Sequence, residues 1–340
     1  MSTSSRGRYE ALFYEKKGDK VQCGLCPHVC LIADGKRGLC GVRENRSGTL
    51  YSLIYGLASS IHADPIEKKP FYHFMPGTVA MSFSSIGCNL FCLHCQNFSI
   101  SKAKFGAHDL TEISPEDVVR HSLRAGAKSV SWTYNEPTIW HEFTAVASKA
   151  AHDSGLRTNY VTNGYISEAP LRDLKGVIDA MNIDVKGFTE AFYKKVCGGR
   201  LAPVLRACEL VIELGIHLEV TYLVIPDHND SEEQIASFAK WVSDSLGREV
   251  PVHFSAFHPD YKMTDVPRTP ASTMSLAYDL ARKQGLEFVY LGNMPAGDRD
   301  DTFCPKCGAK VIGRDGFHVS HTDLRGDKCA KCGADLNLVL

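Results

Sequence analysis

The sequence predicts an α/β fold built from parallel strand–helix units, arranged as a barrel or a doubly wound sheet. Three observations carry that expectation. Strand-like and helix-like segments alternate from about residue 76 to residue 292, with little low-complexity sequence between them. Polar residues gather just after the strands, at the end where β/α barrels hold their active sites. A loop with three cysteines, Cys88, Cys92 and Cys95, follows the first of those strands.

Taken in order, residues 1–75 form an N-terminal cysteine-rich segment. Cys23, Cys26, Cys30 and Cys40 lie there among glycines and basic residues, followed by a strand-like run over 49–55. The middle segment, 76–292, opens with a strand over 79–86 that ends at Gly87. Ser114-Pro115-Glu116-Asp117 starts a helix, with Ser114 as N-cap, Pro115 in the first turn and acids near the positive dipole end. Strands follow over 129–134, 158–161, 180–185, 217–225, 252–257 and 288–291. Helices are expected over 139–151, 204–214, 231–246 and 272–284, the third opening on the capping-box pattern Ser231-Glu232-Glu233-Gln234. The last segment, 293–340, carries paired cysteines, glycines and short strands.

Composition narrows the function classes. Thirty-eight basic and 39 acidic residues give a formal net charge of −1, which argues against binding nucleic acid or an anionic membrane electrostatically. No apolar run approaches the roughly 20 residues needed to span a bilayer. The opening Met-Ser-Thr-Ser-Ser-Arg-Gly-Arg lacks an apolar signal core, so a cytoplasmic location is expected. Thirteen cysteines are the informative excess, and all but Cys197 and Cys208 fall into three short groups. In a reducing compartment such groups read as metal or iron–sulfur ligands rather than disulfides.

The pattern C-x3-C-x2-C would arise by chance on the order of 0.02 times at this cysteine frequency. Three thiolates within eight residues fall one short of a closed zinc site. They suit a [4Fe-4S] cluster, which then keeps one iron open for an outside ligand. A zinc site completed by His94, or a ferredoxin-type cluster with a remote fourth cysteine, is the alternative reading. Cys304-x2-Cys307 and Cys329-x2-Cys332 set four thiolates about one ion in a zinc-ribbon-like module, with rubredoxin-like iron as the rival. Cys23, Cys26, Cys30 and Cys40 can close a zinc site or hold an auxiliary cluster relaying electrons. Cys197 and Cys208 read as small buried hydrophobes, and Lys68-Lys69 as a solvated turn.

C-x3-C-x2-C after a first strand, at the head of a β/α domain, resembles the signature of the radical S-adenosylmethionine superfamily. The resemblance implies a partial (β/α)6 TIM-like barrel. It also implies S-adenosyl-L-methionine bound to the open iron, and an electron donor such as flavodoxin or ferredoxin. Reductive cleavage of that cofactor would leave methionine and a 5′-deoxyadenosyl radical that abstracts hydrogen from a substrate. By the same resemblance, His94 lies near the adenine, and Asn135 and Glu136 occupy the segment that recognises the cofactor's amino group. Asp184-x-Lys186 resembles a segment of glycyl-radical-enzyme activases whose lysine meets the cofactor carboxylate. Thr162-Asn163-Gly164 matches a cofactor-side turn of those activases, although Val161 replaces their cation-binding aspartate. His258 matches a strand-end histidine that approaches the cofactor.

A closer resemblance covers almost the whole chain. It rests on Cys23-Gly24-Leu25-Cys26-Pro27-His28-Val29-Cys30, on Gly38-Leu39-Cys40-Gly41-Val42-Arg43, and on Asp64-Pro65-Ile66-Glu67-Lys68-Lys69-Pro70-Phe71-Tyr72-His73-Phe74. Tyr134-Asn135-Glu136-Pro137-Thr138-Ile139 and His258-Pro259-Asp260-Tyr261-Lys262-Met263 belong to it too. These resemble the radical enzyme of the AmmeMemoRadiSam system, which is pyruvate formate-lyase activating enzyme-like. The resemblance implies Memo-like and AMMECR-like partners and names no substrate. Two other functions stay open from sequence: a glycyl-radical-enzyme activase, and a non-catalytic iron–sulfur and zinc protein for electron transfer or scaffolding.

Overall fold

A computed structural model describes residues 9–106 and 109–340. The opening eight residues, on which the expected lack of a signal core rests, lie outside the described residues. Eight strands form the principal sheet: β1 (Ser60–Pro65), β2 (Val79–Ser84), β3 (Ser129–Trp132), β4 (Arg157–Thr162), β5 (Ala180–Asp184), β6 (His217–Val224), β7 (Val252–Ala256) and β8 (Val289–Gly292). Their spatial order follows the chain order from β1 to β8. Every pairing from β2 to β8 is parallel, and β1 adds to one edge antiparallel to β2.

Six helices make the crossovers: α1 (Pro115–Arg124), α2 (His141–Asp153), α3 (Glu168–Asp173), α4 (Leu201–Glu213), α5 (Glu232–Trp241) and α6 (Ala271–Lys283). A doubly wound sheet reverses its strand order at a switch point. No reversal occurs here, so the sheet curls in one direction as a partial barrel, open between β8 and β1. Six β/α units are thus completed by a seventh parallel strand.

Local chemistry accounts for these elements. Crossover helices on one side and the barrel interior on the other bury the parallel strands; β3 is buried at all four positions, although two of them, Ser129 and Ser131, are polar. Helix α1 begins with a complete capping box, the Ser114 hydroxyl accepting from the Asp117 N–H and the Asp117 carboxylate from the Ser114 N–H. At α5 the Ser231 hydroxyl accepts from the Gln234 N–H, and one π-helical turn, Val242–Leu246, extends that helix to the expected end. The helix expected from residue 139 starts earlier, as a 3-10 turn over Pro137–Trp140. Among the described residues no helix is long and apolar enough to cross a membrane.

Two smaller cores flank the barrel. Val21, Leu25, Ile32 and Leu50 pack together under the N-terminal cysteines. Tyr72, Phe288 and Tyr290 pack against Val311, Ile312 and Leu336 of the C-terminal segment. His73 joins the two ends of the chain: its Nδ1 lies 2.8 Å from the Leu336 carbonyl and its Nε2 2.6 Å from the Tyr290 hydroxyl. On the other side, the guanidinium of buried Arg43 pairs with Glu142 on α2.

Candidate active site

The C-terminal ends of the strands open into a cavity of about 600 Å3. Cys88, Cys92 and Cys95 line it, together with His94, Asn135, Glu136, Thr162, Asn163, Asp184 and Lys186. His258 does not line it. That residue stands at the rim, its Nε2 3.0 Å from the side-chain nitrogen of Gln96, which does.

The three-cysteine loop leaves β2 through Gly87, at φ +87°. A Cβ there would sit 2.7 Å from the Cys40 carbonyl oxygen and 2.9 Å from Val42, so only glycine fits the approach. Neighbouring loops hold the cysteines in place. Phe91 N–H donates to the Cys197 carbonyl at 2.7 Å, and Leu93 N–H to the Val196 carbonyl at 3.0 Å. Asn135 pins the loop's start, its amide oxygen accepting from the Ser85 N–H and its amide nitrogen donating to the Gly87 carbonyl. The Leu90 N–H points at the Cys88 sulfur at 3.4 Å, and the Asn163 amide nitrogen lies 3.7 Å from it. Burial, and next the Glu136 carboxylate, push the Cys88 thiol up. Its thiolate form therefore needs a bound cation, which fits a metal centre.

Glu136 is buried, and it caps the 3-10 turn by accepting from the Thr138 N–H at 3.0 Å. It also accepts from the Thr162 hydroxyl at 2.6 Å and from the Asn163 N–H at 2.8 Å. These partners fix a carboxylate on the cavity wall. Burial nevertheless raises its pKa, a cost that a cationic neighbour would offset. Lys186 lies 2.9 Å from the Asp184 carboxylate. Burial works against its charge, but Asp184 and then the Cys92 sulfur hold the ammonium well above its usual range.

His94 is the most telling side chain. It is buried, and neither ring nitrogen has a hydrogen-bond partner. Burial, followed by Lys186 and His228, pushes its pKa down to about 3. The ring is therefore neutral and presents one unused donor and one unused acceptor. Orphaned polar atoms of this kind call for a ligand.

Two features escaped the sequence reading. The Lys68-Lys69 pair is solvated only at Lys68: Lys69 is 2% exposed, its Nζ 2.7 Å from Asp64 and 4.1 Å from the centre of the Tyr134 ring. Lys68 shares the same carboxylate at 2.9 Å, and both lysines line the cavity. The two charges adjacent in sequence gave no hint that a carboxylate and a distant tyrosine would enclose the second of them. Cys197, buried as expected, interacts with Cys92, which lowers the Cys92 pKa and raises that of Cys197. The available signal was Gly198-Gly199. A Cβ on either would press on Phe91 or Leu90, which brings this segment against the cysteine loop.

Among the described residues, the C-terminal cysteines are the group whose ligand atoms all fall within 4.8 Å of one another. Cys304 and Cys332 sulfurs are 3.5 Å apart, and Cys307 and Cys329 sulfurs 3.8 Å. A tetrahedron of 2.3 Å zinc–sulfur bonds has edges of about 3.8 Å. Cys23, Cys26, Cys30 and Cys40 line a second, small cavity with Arg43 and Ile139.

The family model of the Radical SAM superfamily matches residues 83–239, from the end of β2 into α5. The chain is 46% identical over 334 residues to the uncharacterized protein MJ0808 of Methanocaldococcus jannaschii, covering 97% of this chain and 99% of that one. It is 21% identical over 196 residues to the pyruvate formate-lyase-activating enzyme of Clostridium pasteurianum, covering 53% of this chain and 80% of that one. Among solved structures, Streptococcus suis SuiB bound to S-adenosylmethionine superposes with a TM-score of 0.51 at 15% identity. The superposition covers 67% of this chain and 53% of SuiB, and it concerns the fold alone.

Proposed function

The chain belongs to the radical S-adenosylmethionine superfamily, and from that premise we propose that it is an enzyme whose Cys88, Cys92 and Cys95 hold a [4Fe-4S] cluster beside bound S-adenosylmethionine. The observation that carries the proposal is the single cavity shared by three thiols, a fixed carboxylate, a fixed ammonium and the unpartnered His94 ring. When bound, a cluster held by Cys88, Cys92 and Cys95 would supply the single electron for reductive cleavage of S-adenosylmethionine, and with it radical hydrogen-abstraction chemistry.

The chain's own residues bind and orient. Glu136, held by Thr138, Thr162 and Asn163, meets the cofactor's ammonium. Lys186, held by Asp184, meets its carboxylate. His94 offers its free donor and acceptor to the adenine edge. Asn135 acts at one remove, as a positioning residue for the cysteine loop. His258 with Gln96 borders the entrance. Cys304, Cys307, Cys329 and Cys332 hold zinc, and their module packs on β8 through Tyr72 and Tyr290.

Flavodoxin or ferredoxin supplies the electron, and Memo-like and AMMECR-like proteins are the partners proposed for the AmmeMemoRadiSam branch. Glycyl-radical activation is a second reading, favoured by the similarity to the Clostridium pasteurianum enzyme. Spectroscopy tests the shared core of both readings. Adding S-adenosylmethionine to the anaerobically reduced chain is expected to shift the cluster's electron paramagnetic resonance. An unchanged spectrum in a fully loaded chain favours a non-catalytic electron carrier.

A further inference from the structure

The four N-terminal cysteines lie on two adjacent loops. Cys23 ends one strand, Cys26 and Cys30 stand in the turn after it, and Cys40 precedes the strand Arg43–Arg46. All are free thiols. The Cys23 N–H donates to the Cys30 carbonyl at 2.9 Å, which folds the turn back on itself. All four line one small cavity.

Their spacing and setting differ from those of the C-terminal four. The C-terminal sulfurs all lie within 4.8 Å of one another, close enough for a single ion. The N-terminal four run Cys-x2-Cys-x3-Cys-x9-Cys, with Cys40 brought in from a second loop. A cluster of two or more irons ties its cysteines to different metal atoms and so accepts thiols from separate loops. Arg43 adds a buried cation, its guanidinium 3.8 Å from the Cys23 sulfur and its Nε without a partner. Hydrogen bonds to cysteinyl sulfur are among the devices that tune an iron–sulfur potential.

Position is the second, independent observation. A Cβ on Gly87, the residue before Cys88, would meet the Cys40 carbonyl at 2.7 Å and Ile139 at 3.2 Å, and Ile139 also lines the cysteine cavity. His28, between Cys26 and Cys30, reaches the Asn89 carbonyl at 2.7 Å. Asn89 in turn accepts from Asn163, whose amide nitrogen lies beside the Cys88 sulfur. On the outer side Val29, Leu31 and Leu39, each next to a cysteine, are exposed. The site thus spans from the protein surface to the loop that bears the catalytic cysteines. A structural zinc ion has no need of such contiguity; an electron relay does.

We propose that Cys23, Cys26, Cys30 and Cys40 hold a second iron–sulfur cluster, which passes single electrons from an external low-potential flavin or iron–sulfur carrier to the cluster at Cys88, Cys92 and Cys95. The relay rests on the radical reading above, but occupancy of the site does not. Each electron accepted from the carrier leaves to the inner cluster, so the relay returns to its starting state.

The Cys88→Ala/Cys92→Ala/Cys95→Ala chain, reconstituted anaerobically, separates the two. It is expected to retain iron and acid-labile sulfide and to give a paramagnetic signal on reduction with dithionite. Adding Cys40→Ala is expected to remove both. The unsubstituted chain supplies a control independent of variant folding, with Mössbauer intensity from more iron than the roughly four atoms of one cluster. Zinc in place of iron in the triple variant, or one iron without sulfide, overturns the proposal. For the relay, Cys40→Ala in the otherwise unchanged chain should lose 5′-deoxyadenosine production driven by reduced flavodoxin while keeping that driven by dithionite. Equal retention with both reductants overturns the relay. Absence of an S-adenosylmethionine effect on the inner cluster would instead count against the radical reading and leave the second cluster's occupancy standing.

Discussion

Glu219 on β6 is the buried charge on which the cavity wall depends, and replacing it with glutamine measures that dependence. Its carboxylate accepts from three consecutive backbone N–H groups, those of Tyr72 at 3.0 Å, His73 at 2.8 Å and Phe74 at 3.1 Å. His253 lies 2.6 Å from the same oxygen as the Tyr72 N–H, and His217 lies 3.3 Å from the other. The carboxylate thereby fixes the segment that brings Lys68, Lys69 and Tyr72 to the cavity. Glutamine keeps the shape, but either orientation turns an amide NH2 toward at least two donors. Two hydrogen bonds are lost and their donors left buried, at about 1–3 kcal/mol each. Glu219→Gln is therefore expected to cost about 4 kcal/mol, and the midpoint should fall by roughly 10 °C at the 2–4 °C per kcal/mol usual for large domains. Anaerobic thermal and urea unfolding followed by circular dichroism measure it. A variant within about 1 kcal/mol of the parent would refute the reasoning.

The pH dependence carries a sign. Burial favours the neutral acid, but His217 and His253 outweigh it and hold Glu219 well below the usual carboxylate range. A depressed folded pKa stabilises fully above the unfolded value of about 4.3 and ceases to do so as pH falls below it. The penalty of Glu219→Gln should therefore shrink in acid.

His94→Phe removes neutral hydrogen bonds worth about 0.5–1.5 kcal/mol each, so S-adenosylmethionine affinity should weaken roughly threefold to tenfold by calorimetry. His94→Ala should weaken it further by losing the ring, and unchanged affinity in both variants would remove His94 from the cofactor site. Gly87→Ala combines a left-handed backbone cost of about 1–2 kcal/mol with a clash against the Cys40 carbonyl. It should lower both stability and the iron retained after gel filtration. Burial holds His73 neutral down to about pH 3. Because the unfolded histidine takes its proton near 6.5, His73 alone should remove about 1.4 kcal/mol of stability per pH unit below that value, and buried His94 adds to the slope. His73→Gln should flatten the slope measured by urea titration between pH 6.5 and 5.

What the sequence made legible was local. The strand–helix alternation, the caps at Ser114 and Ser231 and the cysteine spacings are written in residues close together along the chain. Periodicity and side-chain chemistry suffice to read them. The cavity-lining positions were legible because they follow strand ends, and a parallel sheet brings all its strand C-termini to one face. The parts that stayed hidden depend on distant segments meeting. The edge strand β1 reads Ser-Ile-His-Ala-Asp-Pro, too polar and exposed to stand out. Asn135 could be read as a cofactor contact, but only the fold shows its amide spent on Ser85 and Gly87. The burial of Lys69 depends on Tyr134, and the Cys92–Cys197 contact on a glycine pair arriving from the far side of β5. No spacing rule links those pairs.

A three-cysteine loop that serves reductive cleavage of S-adenosylmethionine must make 5′-deoxyadenosine. The most direct test is to reconstitute the chain anaerobically, reduce it with dithionite, add the cofactor and quantify 5′-deoxyadenosine by chromatography. Product is expected from the unsubstituted chain and none from Cys88→Ala/Cys92→Ala/Cys95→Ala. Undiminished product from that triple variant would contradict it. So would a fully iron-loaded, reduced parent chain that makes no product and whose cluster spectrum ignores the cofactor.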